Sequence, residues 1–139
     1  GGRQLLPELV AREYRRLRKA VRAAGKYPSD PVLHELRIKG KRLRYTTELA
    51  EPALSGQARA LLKAAEGLQD TLGEHQDACV AQQRVRTLLA GLGNTAGVGT
   101  AFAAGRLYER EESRRVATAA SWRDRWRAVK AAAGRASVS

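Results

Sequence analysis

The 13 residues LHELRIKGKRLRY, positions 33 to 45, hold five Lys or Arg and one His. Cations gathered this closely either decorate a solvated helix face or donate charge-assisted hydrogen bonds to an anion. Helical phase helps to separate the two. At about 100° per residue, His34, Arg37, Lys41, Arg44 and Tyr45 fall on one side of a helix, while Lys39 and Arg42 project elsewhere as solvated charge. At about 1.5 Å of rise per residue, the ladder from His34 to Arg44 spans about 15 Å. That length suits successive phosphates of a linear polyanion, whereas a single small phosphate would not need it. Arg15, Arg18 and Arg22 make a second ladder upstream, on the side away from their own helix's apolar stripe, with Arg12 and Lys19 as further contacts. If the two helices are neighbours, the ladders could line one trough, and a bound polyanion would relieve the repulsion between them.

Other chemistries find less support. Zinc usually takes four protein ligands, or three plus water, and His34, His75 and Cys79 are too dispersed in sequence to suggest such a set. No grouping of nucleophile, base and orienting residue stands out, so neither a metal, a cofactor nor an enzymatic activity is expected. Glu74 with Asp77, and Glu109 with Glu111 and Glu112, read as solvated helix charge. His75 lies on an apolar stripe between Leu72 and Cys79, which suits either a buried, hydrogen-bonded core histidine or a phosphate contact beside a kink at Gly73. The Gly-rich stretch 91–99 lacks the spacing of a phosphate-cradling loop and reads as an interhelical connection.

The elements that must carry these residues are helices. Ala, Leu, Arg and Glu dominate, and aromatic residues make up 5% of the chain. Gly- and Pro-bearing breaks at 23–31, 51–56 and 90–99 leave four segments. The first, near 7–24, has a stripe of Val10, Tyr14, Leu17, Val21 and Ala24, with Pro7 suited to its first turn. The second opens at Asp30 as cap and Pro31 as first position, runs to about 51, and buries Leu36, Gly40, Leu43, Thr47 and Ala50. The third, about 57–90, carries Leu61, Ala65, Leu68, Leu72, His75 and Cys79, with bends at Gly67 and Gly73. The fourth, roughly 98–134, aligns Tyr108, Arg115, Ala119, Trp122, Trp126 and Val129 as a core face. Long helices joined by short breaks predict an all-α, antiparallel four-helix bundle, one domain over residues 1–139.

Twenty-six Lys plus Arg against 14 Asp plus Glu give a formal charge of +12 and favour an anionic partner. Arg outnumbers Lys by 20 to 6, which fits phosphate recognition and also follows from a GC-rich genome. A single cysteine and no run of 18 apolar residues predict a soluble, cytoplasmic protein without a membrane partner.

Two segments resemble one family, the CHAD domain. LHELRIKGKRLRYTTEL (33–49) is similar to its His-x-x-Arg helix with a Lys-Arg-Leu-Arg-Tyr continuation, and LQDTLGEHQDACV (68–80) is similar to its Leu-Gln-x-x-Leu-Gly segment. The resemblance implies a helical bundle that binds inorganic polyphosphate without catalysis, often in bacterial proteins beside polyphosphate granules or triphosphate enzymes. It assigns the phosphate-facing roles to His34, Arg37, Lys41, Arg44 and Tyr45, with Arg15, Arg18 and Arg22 in support. The family's domain usually has two related halves, and this shorter chain is similar mainly to the second. A half-length version could dimerise to rebuild the full trough. Nucleic acid is the alternative polyanion, although no RNP, KH or zinc-finger motif is present. A histidine phosphotransfer bundle through His34 is a third reading, which the strongly basic surroundings disfavour.

Overall fold

A computed structural model describes residues 2–53 and 56–138, with side chains from Leu5 onward. Among the described residues there are four α-helices, α1 (Gly2–Ala24), α2 (Asp30–Ala50), α3 (Gln57–Leu92) and α4 (Val98–Arg135), and no strand. Short connections turn each helix back along its predecessor, and α1 packs on α2, α2 on α3, and α3 on α4. This is an all-α helical bundle. No helix among the described residues is long and apolar enough to cross a membrane.

α2 buries its whole predicted stripe and α1 and α3 all but the end residues Ala24 and Cys79, whereas in α4 Trp122, Trp126 and Val129 are buried and Tyr108, Arg115 and Ala119 only partly so. Val10, Tyr14, Leu17 and Val21 of α1 meet Leu33, Leu36, Leu43 and Ala50 of α2 in one core. Leu61, Ala65, Leu68 and Leu72 of α3 and Trp122, Trp126 and Val129 of α4 complete it. Gly40 is buried where α2 crosses α3, and a Cβ there would lie 3.8 Å from Leu68 Cδ2, so the contact is close without excluding alanine. The rings of Tyr14 and Trp126 stack at 5.8 Å and tie α1 to α4. A guanidinium bond from Arg123 to the Gly25 carbonyl adds a second tie. Gly25 itself holds φ +76°, the left-handed conformation in which glycine ends a helix without a Cβ clash.

Two details of the helix starts differ from expectation. α1 begins at Gly2, so Pro7 lies inside the helix rather than in its first turn. Gln4 and Leu5 are good helix formers and extend the helix upstream of the proline. The cap of α2 is Ser29, not Asp30: Ser29 has extended backbone angles and its hydroxyl accepts from Val32 N at 3.4 Å. Asp30 is thereby left in the first turn with its carboxylate available to other helices. α3 runs unbroken through Gly67 and Gly73.

At 36 and 38 residues, α3 and α4 are far longer than α1 and α2, at 23 and 21. Their excess forms a hairpin beyond the main core, with Ala78, Gln82, Val85, Ala104 and Glu111 facing inward.

Leu43→Ala, at a position with no solvent exposure, is expected to cost about 2–5 kcal/mol in chemical denaturation. Leu49→Ala on the same helix, where the side chain is 68% exposed, should stay within about 0.5 kcal/mol of the parent.

Candidate functional site

The buried stripe of α2 sets where its cations lie. By helical phase, Arg37 and Arg44 sit closest to the core edge on the flank that meets α3, and the contacts agree. Arg44 donates from Nη1 to Gln69 Oε1 at 2.9 Å. Arg37 crosses α3 at Gly73, its Nε 3.9 Å from where a Cβ on that glycine would stand. The two guanidinium groups line a groove whose far wall is Gln69, Asp70, Glu74 and Asp77 of α3. Lys41 and Arg44 both approach the half-exposed ring of Tyr45, at 5.7 and 5.6 Å from its centroid. Lys39 projects away and pairs with Glu35 at 4.0 Å, and Arg42 is exposed.

Three side-chain nitrogens on this edge are shielded from solvent without a hydrogen-bond partner: His34 Nδ1, Arg37 Nε and Arg44 Nε. No other buried side-chain nitrogen or oxygen among the described residues is left so. A buried polar group without a partner costs about 1–3 kcal/mol.

The α1 cations lie elsewhere. Arg18 does not point away from the core; it is half-buried over the Tyr14 ring, 5.5 Å from its centroid, and Tyr14 stacks on α4. Arg15 and Arg22 share that flank by phase and are exposed, while Arg12 and Lys19 are exposed on the outer side. The α2 ladder thus follows the α2/α3 seam and Arg18 the α1/α4 side, so the fold does not bring the two ladders into one trough.

His75 belongs to a second constellation. It is 1% exposed, and its Nε2 lies 3.0 Å from Asp30 Oδ1, while Cys79 Sγ is 3.8 Å from the same nitrogen. Arg115 of α4 donates to the same carboxylate oxygen at 3.3 Å, and Glu112 accepts from Arg115 and from Gln82. Burial lowers the His75 pKa from 6.5, against the opposing pull of Asp30. Burial, with the charge of Asp30, pushes the Cys79 thiol up. Bonds from Arg115 and Gln82 hold Glu112 down at about 2, and the bond to Glu112 raises Arg115.

Glu111 and Glu112 therefore are not solvated decoration. Glu111 is buried against Arg114 at 3.2 Å, and Glu112 is bound as above. Tyr108 lies in the hairpin rather than the core, its hydroxyl accepting from Arg86 at 2.9 Å. Local spacing gave one part of the constellation, His75 and Cys79 one turn apart. Asp30, 45 residues before His75, carries no such signal.

A helical bundle with a cationic seam is the class defined so far, and the comparisons place it. The model of the family described as CHAD domain matches residues 2–86, covering α1, α2 and most of α3, including both segments 33–49 and 68–80. The chain belongs to the CHAD domain family. It is also 36% identical over 118 residues to two uncharacterized proteins of Mycobacterium tuberculosis strains, MT2285 and Rv2226. Those matches cover 79% of this chain, which spans 21% of the length of each relative. No solved structure matches.

The His75 environment sets a pH dependence. With the folded-state pKa below 6.5, the unfolded chain binds the proton first on acidification. The stability that neutral His75 provides is thus complete above about pH 6.5 and lost as the pH falls towards its folded value. In metal-free buffer the denaturation midpoint should fall more between about pH 7.5 and 5.5 for the parent than for His75→Gln.

Proposed function

We propose that this chain is one non-catalytic module that binds inorganic polyphosphate along the α2/α3 seam. The family is associated with polyphosphate binding, and one observation carries the reading to this edge. Three partnerless, shielded nitrogens sit among the cations of a single helix flank. In this reading Arg37 and Arg44 donate to phosphate oxygens through their guanidinium N–H groups, Lys41 supplies a mobile charge, and His34 closes the α2 start of the groove. Tyr45 holds Lys41 and Arg44 apart from bulk solvent through its ring and keeps them on the edge.

A linear polyanion long enough to leave the seam would meet Arg15, Arg18 and Arg22 as supporting contacts, with Arg12 and Lys19 beyond them. Asp70 and Glu74 on the far wall oppose an anion, so the ligand lies towards the α2 side of the groove. Such a module would work where polyphosphate accumulates, at granules in a bacterial cytoplasm. Nucleic acid remains the competing phosphate polymer, but Trp122 and Trp126 are buried and offer bases no stacking surface.

Replacing Arg37, Lys41 and Arg44 together by Ala should lower affinity for long-chain polyphosphate by roughly a hundredfold or more, since each charge-assisted hydrogen bond is worth about 1.5–3 kcal/mol. Lys39→Ala with Arg42→Ala should change it little. Parental binding should also weaken steeply with salt, as counterion release requires. Equal affinity in the triple variant would remove the assigned edge. A short DNA duplex that competes as well as polyphosphate would remove the assigned ligand.

A further inference from the structure

A second cationic seam lies on the far side of the bundle. Each helix packs on its predecessor and the Tyr14–Trp126 stack ties α1 back to α4, so the α1/α4 seam is opposite the α2/α3 seam. The backbones of α1 and α4 stay further apart than those of any consecutive pair, and the two rings fill the gap. Arg15, Arg18 and Arg22 flank that gap on α1. By the same helical phase Arg123, Arg127 and Lys130 flank it on α4, beside buried Trp122, Trp126 and Val129.

Aromatic rings hold the inner pair of cations. Arg18 lies over Tyr14, 5.5 Å from its centroid, and Arg123 over Trp122 at 4.5 Å, where it also donates to the Gly25 carbonyl. Guanidinium groups held in this way have little rotamer freedom left to lose when they bind. The acids that phase places on this flank are Glu8, near the start of α1, and Asp124, which is paired with Arg127. Cations therefore dominate the seam, and such crowding is relieved by a bound polyanion.

The faces between the two seams do not lead an anion from one to the other. On the α3/α4 face Asp70, Glu74 and Asp124 line a groove whose one cation is Arg125. On the α1/α2 face Lys39 is paired with Glu35 and Arg16 with Glu13. Through the core, about two helix diameters, roughly 20 Å, separate the seams.

We propose that the α1/α4 seam is a second, independent polyanion track, which holds a separate stretch of inorganic polyphosphate and makes the bundle a bivalent cross-linker of that polymer. This rests on the polyphosphate reading of the α2/α3 seam and adds valency to it. Arg18 and Arg123 donate to phosphate oxygens at the centre of the track, and Arg15, Arg22, Arg127 and Lys130 supply charge along its margins. The α1 contacts of a long polymer thus belong to a stretch of their own. Arg123, Arg127 and Lys130 fall outside residues 2–86, the part matched by the family model, so the α4 half of the track is a feature of this chain.

Short, size-fractionated linear polyphosphate, with an extended length below the roughly 20 Å between the seams, tests the proposal on the full chain. Titration calorimetry should count two short chains per protein. Arg127→Glu with Lys130→Glu, both exposed, should lower the count to one with helical circular dichroism unchanged. Arg37→Ala, Lys41→Ala and Arg44→Ala together should also leave one. Lys39→Glu with Arg42→Glu, the same change in net charge, should keep two. Parent protein captured on immobilised polyphosphate should recruit a labelled short chain, and neither track variant should. The second track is refuted if the α4 variant still binds two short chains, or if the Lys39 and Arg42 control also drops to one, which would make net charge responsible. A parent that binds a single short chain, lost in the α2 triple variant, overturns the track and leaves the polyphosphate reading standing. A parent that binds none overturns both.

Discussion

Burying Leu33, Leu36, Gly40, Leu43, Thr47 and Ala50 in one stripe fixes the rotation of α2 about its axis. The position of its cations follows from that constraint. An α-helix offers no independent choice of where a second set of residues points once the first is buried, since both are set by the same 3.6-residue turn. Arg37 and Arg44 fall next to the stripe and are carried into the seam with α3, where their aliphatic stems pack and their Nε groups lose water. Lys41, Tyr45 and His34 fall further round and keep partial contact with solvent. The graded burial of this edge is therefore a product of core packing rather than of attraction between charges.

The same period made much of the fold legible in the sequence. Apolar spacing marked the stripes of the four-helix core, though not the inward face of the outer hairpin, and Gly and Pro marked the connections to within a few residues. What could not be read depended on relations between helices. Ser29 and Asp30 are both good caps, and the sequence does not say which is used; the structure shows that Ser29 caps and Asp30 binds across the bundle. The α1 ladder was visible as a pattern, but whether Arg18 turns towards α2 or α4 depends on how the helices are arranged around the core. Tyr14 settled that by stacking on Trp126. The acids of α4 looked solvated because their cationic and amide partners, Arg115 and Gln82, are recognised only once α3 and α4 are paired.

Asp30 joins both halves of this picture. One residue's shift in the cap position leaves its carboxylate to accept from α3 and α4 together, which pins the start of α2 against both. The cationic edge begins one turn further on, at His34, so its geometry is anchored at that end by a polar knot and along its length by packed leucines. The two restraints differ in kind. The packed leucines act without regard to pH, whereas the polar knot loosens if His75 or the carboxylates change protonation.

The long hairpin formed by the outer parts of α3 and α4 is held on different conditions from the rest. Apart from Val85 its inward positions are small or polar, with Ala78, Ala104, Gln82 and Glu111, and it receives no support from α1 or α2 in the main hydrophobic cluster. Apolar burial per residue is therefore lower there, and opening it does not require the four-helix core to open. Amide exchange would run from the hairpin tip inwards, with the tip exchanging by local fraying and the Leu43 and Leu68 layer only by global unfolding. The bundle is thus a rigid base bearing a more easily melted arm, and the cationic seam lies in the rigid part.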